Sequence, residues 1–422
     1  MKDSNYYTDT ANDRTVFPSL HKVLHTDICV IGGGFSGVAT ALSLSERNRD
    51  VVLLEAQKIG WGATGRNGGQ CIAGFSGEQT IKQQLGLDGI RLIKDLRYKG
   101  HEIISDRIAK YNIDCDWKPG WLEVAAHSRD MESLRRTYHE RRLEDEDSYL
   151  ELVEKKDLKT VLGTSQYYGG LIDRRSGHLH PLNLCLGEAR AAKSRGVSIY
   201  EGSEVVELKG GAKPFARTQY GKVYAQTIVL AGDTHHDFER GKLRGLQFPT
   251  GSYMIATEPL DEKLALSLNP QDLAICDTHI IPDYYRLSHE KRMLFGGRCN
   301  YSNRDPIDIT NAIRQRMIKI FPQLRQISID YTWEGRIGIV LNRVPAIGRL
   351  EPNLYYLQGY CGHGINVSHI AGELISDAIC GMPDRFDLFN RIRHMRIPFG
   401  KWVGNYILAL TMLYERLRQH SY

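Results

Sequence analysis

The sequence predicts an α/β (α+β) protein of two interleaved domains, one wound like a nucleotide-binding sheet and the other rich in β-strands. Three observations predict it. A short apolar run at 26–31 ends in glycines, and a helical pattern and a second apolar run at 51–54 follow, which makes one strand–helix–strand unit of about thirty residues. Residues 250–300 alternate strongly and hold Tyr253, Tyr284, Tyr285, Phe295 and Gly296-Gly297, as an antiparallel sheet does. Strand and helix patterns of the first kind recur at 181–232 and 353–380, on either side of β-rich stretches, so a Rossmann-like domain and a β-rich domain must interleave.

Taken in order, residues 1–21 read as an extended polar arm. The βαβ unit comes next, then a glycine-rich loop over 60–77 and helical patterns from 79 to 111. Dense mixed charge over 129–157, including Arg135, Arg136, Glu140 and Arg141, predicts a solvated helix pair. A helix over 183–194 leads through Gly196 into a strand at 197–200, then Val205-Val206 and an apolar strand at 227–232. After Phe321-Pro322 a strand-rich stretch ends at 355–357, and the loop 359–364 opens a helix to about Ile379. The expected boundaries are an arm at 1–21, a nucleotide-binding domain at 22–85, 150–235 and 330–385, a second domain at 86–149 and 236–329, and a C-terminal helical segment at 386–422. The apolar stretch 402–414 in that segment reads as a lid, a dimer contact or a membrane-surface helix.

Composition excludes several classes. Lys+Arg 55 against Asp+Glu 50 leaves a net charge of +5 on 422 residues, with no long basic block of the kind a nucleic-acid partner needs. With 41% hydrophobic and 25% charged residues the chain reads as a folded enzyme, not a disordered one. The eight cysteines are scattered singly without a C-x-x-C pair, which argues against zinc or dithiol chemistry. The polar N-terminus lacks an apolar signal region, and no stretch reaches the roughly 20 apolar residues of a membrane span, so a reduced, cytoplasmic protein is expected. Glycine is in excess: 41 residues, about a tenth against an average near 7%. Such an excess without collagen period suggests tight turns, or backbone pressed against a ligand.

The glycines cluster where a ligand would lie. Gly32, Gly34 and Gly37 form G-x-G-x-x-G between a strand and a helix, with Phe35 and Ser36 inside the motif, and Glu55 ends the second strand. Gly32 permits the tight turn, Gly34 lets backbone approach a pyrophosphate, and Gly37 lets helix and strand pack closely. The helix N-terminus offers free N–H groups to phosphates, and Glu55 suits ribose hydroxyls while repelling a 2′-phosphate. This fingerprint does not separate NAD from FAD. Residues 60–70 add five glycines in eleven positions with Arg66, and the loop 359–364 precedes another helix. Two distant glycine loops bracketing one planar cofactor suit FAD better than NAD.

At this point the residues resemble the flavin-dependent amine and amino-acid oxidases of the D-amino-acid oxidase superfamily. The similar pieces are the segments 27–37 and 62–69, Ser176-Gly-His-Leu-His-Pro-Leu-Asn183, Asp283-Tyr-Tyr-Arg-Leu287, Phe321-Pro-Gln-Leu324, Tyr331-Thr-Trp-Glu-Gly335 and Gly359-Tyr-Cys-Gly-His-Gly364. The resemblance implies a D-amino-acid-oxidase-like fold with Gly32, Gly34, Gly37 and Glu55 on the ADP half of FAD. It puts Ala63, Arg66, Gly68, Gly69 and Gln70 along the flavin, and Val205 at adenine. Ala231 and Gly232 would close the dinucleotide strand, and Gly362, His363 and Gly364 would sit at the pyrimidine ring. Thr64 and Cys361 stand where serine is common, and Asn342 where many relatives carry an acid. Residues 325–345 contain no cysteine, so the expected FAD is non-covalent.

The implied reaction is hydride transfer from the α-carbon of an amine to flavin, giving an aldehyde, ammonia and, with oxygen as electron acceptor, hydrogen peroxide. The implied substrate is a small amine like gamma-glutamylputrescine. The alternatives are a glycine- or sarcosine-type oxidase and a non-catalytic FAD-binding subunit. Tyr253, Tyr284, Trp333 and Tyr360 are candidates for an aromatic wall that keeps the amine neutral, with Tyr285 as a catalytic candidate, each equally readable as a core or sheet-face residue; His363, also a catalytic candidate, either faces the flavin or hydrogen-bonds the backbone. Arg286 is either a fork for a substrate carboxylate or a structural arginine. His178 and His180, with no third ligand nearby, read as structural rather than metal-binding. No G-x-S-x-G elbow supports a serine hydrolase. Oligomeric state is open at this level.

Overall fold

A computed structural model describes residues 5–144, 149–238, 241–300 and 308–397. The C-terminal stretch 402–414 lies outside the described residues. Two sheets divide the described chain. The first has strand order Ala346–Glu351, Leu354–Gln358, Lys222–Leu230, Val23–Ile31, Val51–Leu54, Ser198–Tyr200, with the hairpin Val205–Lys209 and Phe215–Thr218 attached to Lys222–Leu230. Its centre is parallel: Val23–Ile31 pairs in parallel with both Lys222–Leu230 and Val51–Leu54. That explains the continuous apolar runs, because a parallel strand covered on both faces has no polar side. Residues Ile28, Cys29, Val30 and Ile31 are all buried.

Helices Phe35–Glu46, Pro181–Ser194 and Gly364–Ile379 cover this sheet and share its largest core. Two of them cross where Gly372 meets the backbone of Thr40; a Cβ there would lie 3.0 Å from the Thr40 nitrogen. The helix Pro181–Ser194 starts two residues before its expected place, because the His180 ring accepts the Asn183 N–H and caps it, with Pro181 in the first turn.

The second sheet runs Ile329–Val340, Gln247–Thr257, Met293–Asn300, Tyr284–Leu287, Ala274–Asp277, Lys118–Val124, Gly169–His178, Gln70–Cys71, with Leu150–Glu154 beside Gly169–His178. It is antiparallel except where Ala274–Asp277 meets Lys118–Val124. Helices Glu262–Leu268 and Ile309–Ile320 close one face over a core that includes Tyr253, Tyr285, Phe295 and Phe321. The other face looks towards the first sheet's loops.

Three expectations need correction. The described part of the arm is not all extended and polar: Asn5 caps a short helix, Tyr6–Asp9, and Tyr7 is completely buried against His180 and Trp333. The charged run at 129–157 is one helix, Ser128–Glu144, followed by the strand Leu150–Glu154, because Leu150 and Val153 find a buried place beside Gly169–His178. The boundaries shift too. Strands Leu150–Glu154, Gly169–His178 and Ile329–Val340, expected in the nucleotide-binding part, hydrogen-bond into the second sheet. Pairing partners far apart in sequence decide sheet membership, and strand pattern alone carries no partner.

Candidate active site

The two sheets enclose one large cleft of about 1380 Å³, above the 300–1,000 Å³ of ordinary small-molecule pockets. Its floor begins where Val23–Ile31 ends. Gly32 has φ +111° and passes so close to the Ala231–Gly232 backbone that a Cβ would lie 2.7 Å from the Ala231 oxygen. Gly37 is tighter still: its Cβ would lie 1.8 Å from the Gly32 oxygen. The Thr64 hydroxyl accepts the Phe35 N–H at 3.0 Å, so threonine in this place ties the loop 63–65 to the helix N-terminus. Glu55 lines the cleft and accepts the Gly33 and Gln57 N–H groups at 2.5 and 2.7 Å. Burial raises its pKa, and the Glu201 carboxylate adds to the effect against those backbone bonds. Val205 and Ala231 also reach the cleft.

The middle of the cleft is built by residues 61–70. Arg66 is buried; its Nε donates to the Trp61 oxygen at 2.8 Å and its guanidinium lies 5.3 Å from the Trp61 ring centre. A Cβ on Gly68 would meet the Tyr284 ring at 2.9 Å, so the loop lies directly on that ring. Gln70 bridges to the second sheet, donating to the Ile275 oxygen and accepting from the Trp121 indole. Tyr284 and Ser252 share a hydrogen bond at 2.9 Å on the cleft-facing side of that sheet.

The far wall is the loop before helix Gly364–Ile379. Cys361 and Gly362 both have positive φ, and a Cβ on Gly362 or Gly364 would meet nothing within 4 Å. His363 caps this helix by position, and its Nδ1 lies 3.0 Å from the Ser76 hydroxyl. Burial lowers its pKa to about 4, so the ring is neutral at pH 7. Tyr360 bonds the Ser36 hydroxyl at 2.7 Å and links the two helix N-termini. Asp233, which sequence reasoning missed, accepts the Gly359 and Gly338 N–H groups and thereby joins its own loop to the loop at 359 and to the strand Ile329–Val340. Its position just after an apolar strand and glycine was the available signal.

Several expected site residues lie elsewhere. Tyr284 and Tyr285 are consecutive on a strand, so only one can face the cleft. Tyr285 points the other way, stacked on Phe295 at 5.2 Å, buried and bonded to the Tyr167 hydroxyl. Tyr253 joins that same core, and Trp333 packs on Tyr6 and Tyr7 while its indole donates to the Arg66 oxygen. Arg286 is 4% exposed and donates four hydrogen bonds, to Gly68 O, Leu179 O, Leu287 O and Tyr7 Oη. It clamps the loop under Gly69 and has no free fork for a carboxylate. His178 bonds the Asp272 oxygen, and His180 caps its helix and meets the Thr10 hydroxyl. Among the described residues no three His, Cys, Asp or Glu are arranged to hold a metal. The sequence reading also missed Glu123, Cys276, Thr250 and Thr234, all of which line the cleft.

A flat dinucleotide fits what is present. Two helix N-termini open on one cleft, Gly362 and Gly364 leave space for a ring edge, and the Thr234 and Thr250 hydroxyls are buried in the wall with no partner among the described residues. Fold and cleft together define a dinucleotide-dependent oxidoreductase of two sheets. Comparison with known proteins makes this specific. A profile of the FAD dependent oxidoreductase family (DAO) matches residues 27–378, and the chain belongs to that family. Gamma-glutamylputrescine oxidoreductase of Escherichia coli is 38% identical over 421 residues, covering 98% of each chain. A probable oxidoreductase, OrdL, of Haemophilus influenzae is also 38% identical, over 98% of this chain and 96% of its own. Among solved structures, glycine oxidase of Geobacillus kaustophilus superposes with a TM-score of 0.72 at 19% identity, over 88% of this chain and all of that one, a likeness of fold. The chain is thus an FAD-dependent oxidoreductase, and no helix among the described residues is long and apolar enough to cross a membrane.

Proposed function

We propose that the protein oxidises an amine of the gamma-glutamylputrescine type at the carbon beside nitrogen to an imine, which water hydrolyses to an aldehyde and ammonia. The observation that carries this reading is the single cleft in which the loop 61–70, the N-terminus of helix Gly364–Ile379 and the sheet face bearing Ser252 and Tyr284 meet. Similarity to the Escherichia coli enzyme along nearly the whole chain supports the choice of substrate. When bound, non-covalent FAD supplies the hydride acceptor, with dioxygen as its oxidant and hydrogen peroxide as the second product.

The chain's own residues supply position and a dry wall. Gly32, Gly34, Gly37 and Glu55 take the ADP half; Ala63, Arg66, Gly68, Gln70, Gly362, His363 and Gly364 take the flavin half. Tyr284 and Tyr360 are the two expected wall aromatics that reach the cleft. Their rings desolvate the amine, which favours its neutral form and so the loss of hydride. His363, already neutral, suits contact with the cofactor better than proton transfer. The clamped state of Arg286 removes the carboxylate fork on which a glycine- or sarcosine-type oxidase would rest.

The purified protein should be yellow, and gamma-glutamylputrescine should bleach its flavin absorbance under anaerobic conditions. A colourless protein that takes up no FAD would overturn the cofactor placement. A yellow protein that no amine bleaches would make it a non-catalytic flavoprotein.

A further inference from the structure

Glu123 has no part in the cofactor site, yet its side chain faces the cleft. It sits in the strand Lys118–Val124, between the buried Leu122 and Val124. Register puts it opposite Cys276, which in turn pairs with Tyr284, so the three side chains share the cleft face of the sheet. Trp121, two residues earlier on that face, bonds Gln70 of the flavin loop. Glu123 is therefore one strand beyond Cys276 and two beyond Tyr284, at the end of the cleft away from the dinucleotide floor.

Its surroundings are unusual for a carboxylate. The neighbouring acids each have partners: Asp130 accepts from the Thr278 hydroxyl and His127, Asp277 Oδ1 accepts the His279 and Asp283 N–H groups, and Asp283 meets Arg316 at 2.6 Å. Glu123 has neither a hydrogen bond nor an ion pair among the described residues. Burial and, after it, Asp130 raise its pKa to about 7, with Arg141 opposing them from too far to bond. Glu123 is half-buried, and a carboxylate partly shielded from water with no partner among the described residues favours a cation that enters the cleft.

We infer that Glu123 is the anchor for a second positive charge on the substrate, an ammonium remote from the amine that is oxidised. This rests on the amine-oxidising reading above and narrows it to substrates with two cationic nitrogens. One charge-assisted hydrogen bond in such a place is worth about tenfold to a hundredfold in affinity. In gamma-glutamylputrescine the remote ammonium is the α-amino group of the glutamyl part; glutarylputrescine has the same skeleton without it.

The test compares KM for this pair in the wild-type holoenzyme and in Glu123→Gln, with flavin content and spectrum as the control for folding. Wild type should prefer gamma-glutamylputrescine by about tenfold or more, and E123Q should lose that preference while kcat with glutarylputrescine is kept. Glu123→Asp, which keeps the charge, should retain part of the preference and serves in place of E123Q if that variant fails to hold FAD. Equal KM values for the two compounds in wild type overturn the inference, as does a preference that survives E123Q unchanged. Failure of both compounds to bleach the wild-type flavin is a different result, for it refutes the amine-oxidising reading itself.

Discussion

Gly37→Ala is expected to strip the protein of FAD. The added methyl carbon would lie 1.8 Å from the Gly32 oxygen and 3.0 Å from its carbonyl carbon. Real Cβ contacts essentially never fall under 3.0 Å, so helix Phe35–Glu46 and the end of strand Val23–Ile31 must separate by about 1.2 Å. The obstacle is the backbone of the turn just after that strand, so no side chain can turn aside. Overpacking of this kind costs about 1–3 kcal/mol, occasionally more. The cofactor loses more. Phosphate contacts to helix-terminal amides are charge-assisted bonds of about 1.5–3 kcal/mol, and displacing two of them by over an ångström weakens FAD by about a hundredfold or more. The assay is the ratio of flavin to protein absorbance after purification, followed by titration with FAD and a thermal melt. A variant that purifies fully yellow, with its Tm unchanged, would refute the packing argument and the placement of the dinucleotide together.

Three further outcomes follow from the geometry. Arg286→Met should cost stability and flavin retention together, since it leaves the oxygens of Gly68, Leu179 and Leu287 without their donor at about 1–3 kcal/mol for each group left unpaired; a rise in KM alone, with Tm and flavin content intact, would mean that the guanidinium holds substrate after all. Glu188→Gln should destabilise by about 3–5 kcal/mol in a denaturant melt, because the completely buried Glu188 pairs with Arg107 at 2.9 Å and His369 at 3.1 Å, and an unchanged midpoint would show the network to be dispensable. Burial alone would raise the Glu188 pKa, but His369 and Arg107 outweigh it and hold it down at about 2, so its contribution is complete above about pH 4.5 and fades as pH falls towards 2. His178 and His180 should make the protein acid-sensitive earlier: burial, aided by Arg286, lowers both to about 3, so below about pH 6.5 the unfolded chain takes up protons that the folded chain refuses. Stability should fall between pH 6.5 and 3 by up to about 1.4 kcal/mol per pH unit for each ring, and a Tm that is flat from pH 7 to 5 would contradict the burial of both rings as neutral groups.

Much of the candidate site's loop geometry was legible in the chain because its demands are local. A turn that closes on a neighbouring strand, a helix N-terminus and an acid at the next strand's end all lie within residues 32–55, and each needs a particular residue type at a particular place. The second glycine loop was legible for the same reason. The substrate side was not. Tyr284 and Tyr285 look alike in sequence, and period-two alternation says only that they face opposite ways. Arg286 offered the same five donors to a ligand or to the backbone, and the fold spent four of them on Tyr7 and three carbonyls.

By itself, then, the sequence determined the α/β class, the dinucleotide loops and the antiparallel character of residues 250–300, since backbone geometry and hydrophobic period act over a few residues. Only the tertiary structure decided that Tyr6 and Tyr7 are core, that Leu150–Glu154 and Ile329–Val340 belong to the second sheet, and that Glu123 faces the cleft with no partner among the described residues. Those outcomes depend on which distant strand pairs with which and on which face of a sheet the helices cover. Long-range pairing and burial set both, and no short window of residues contains them.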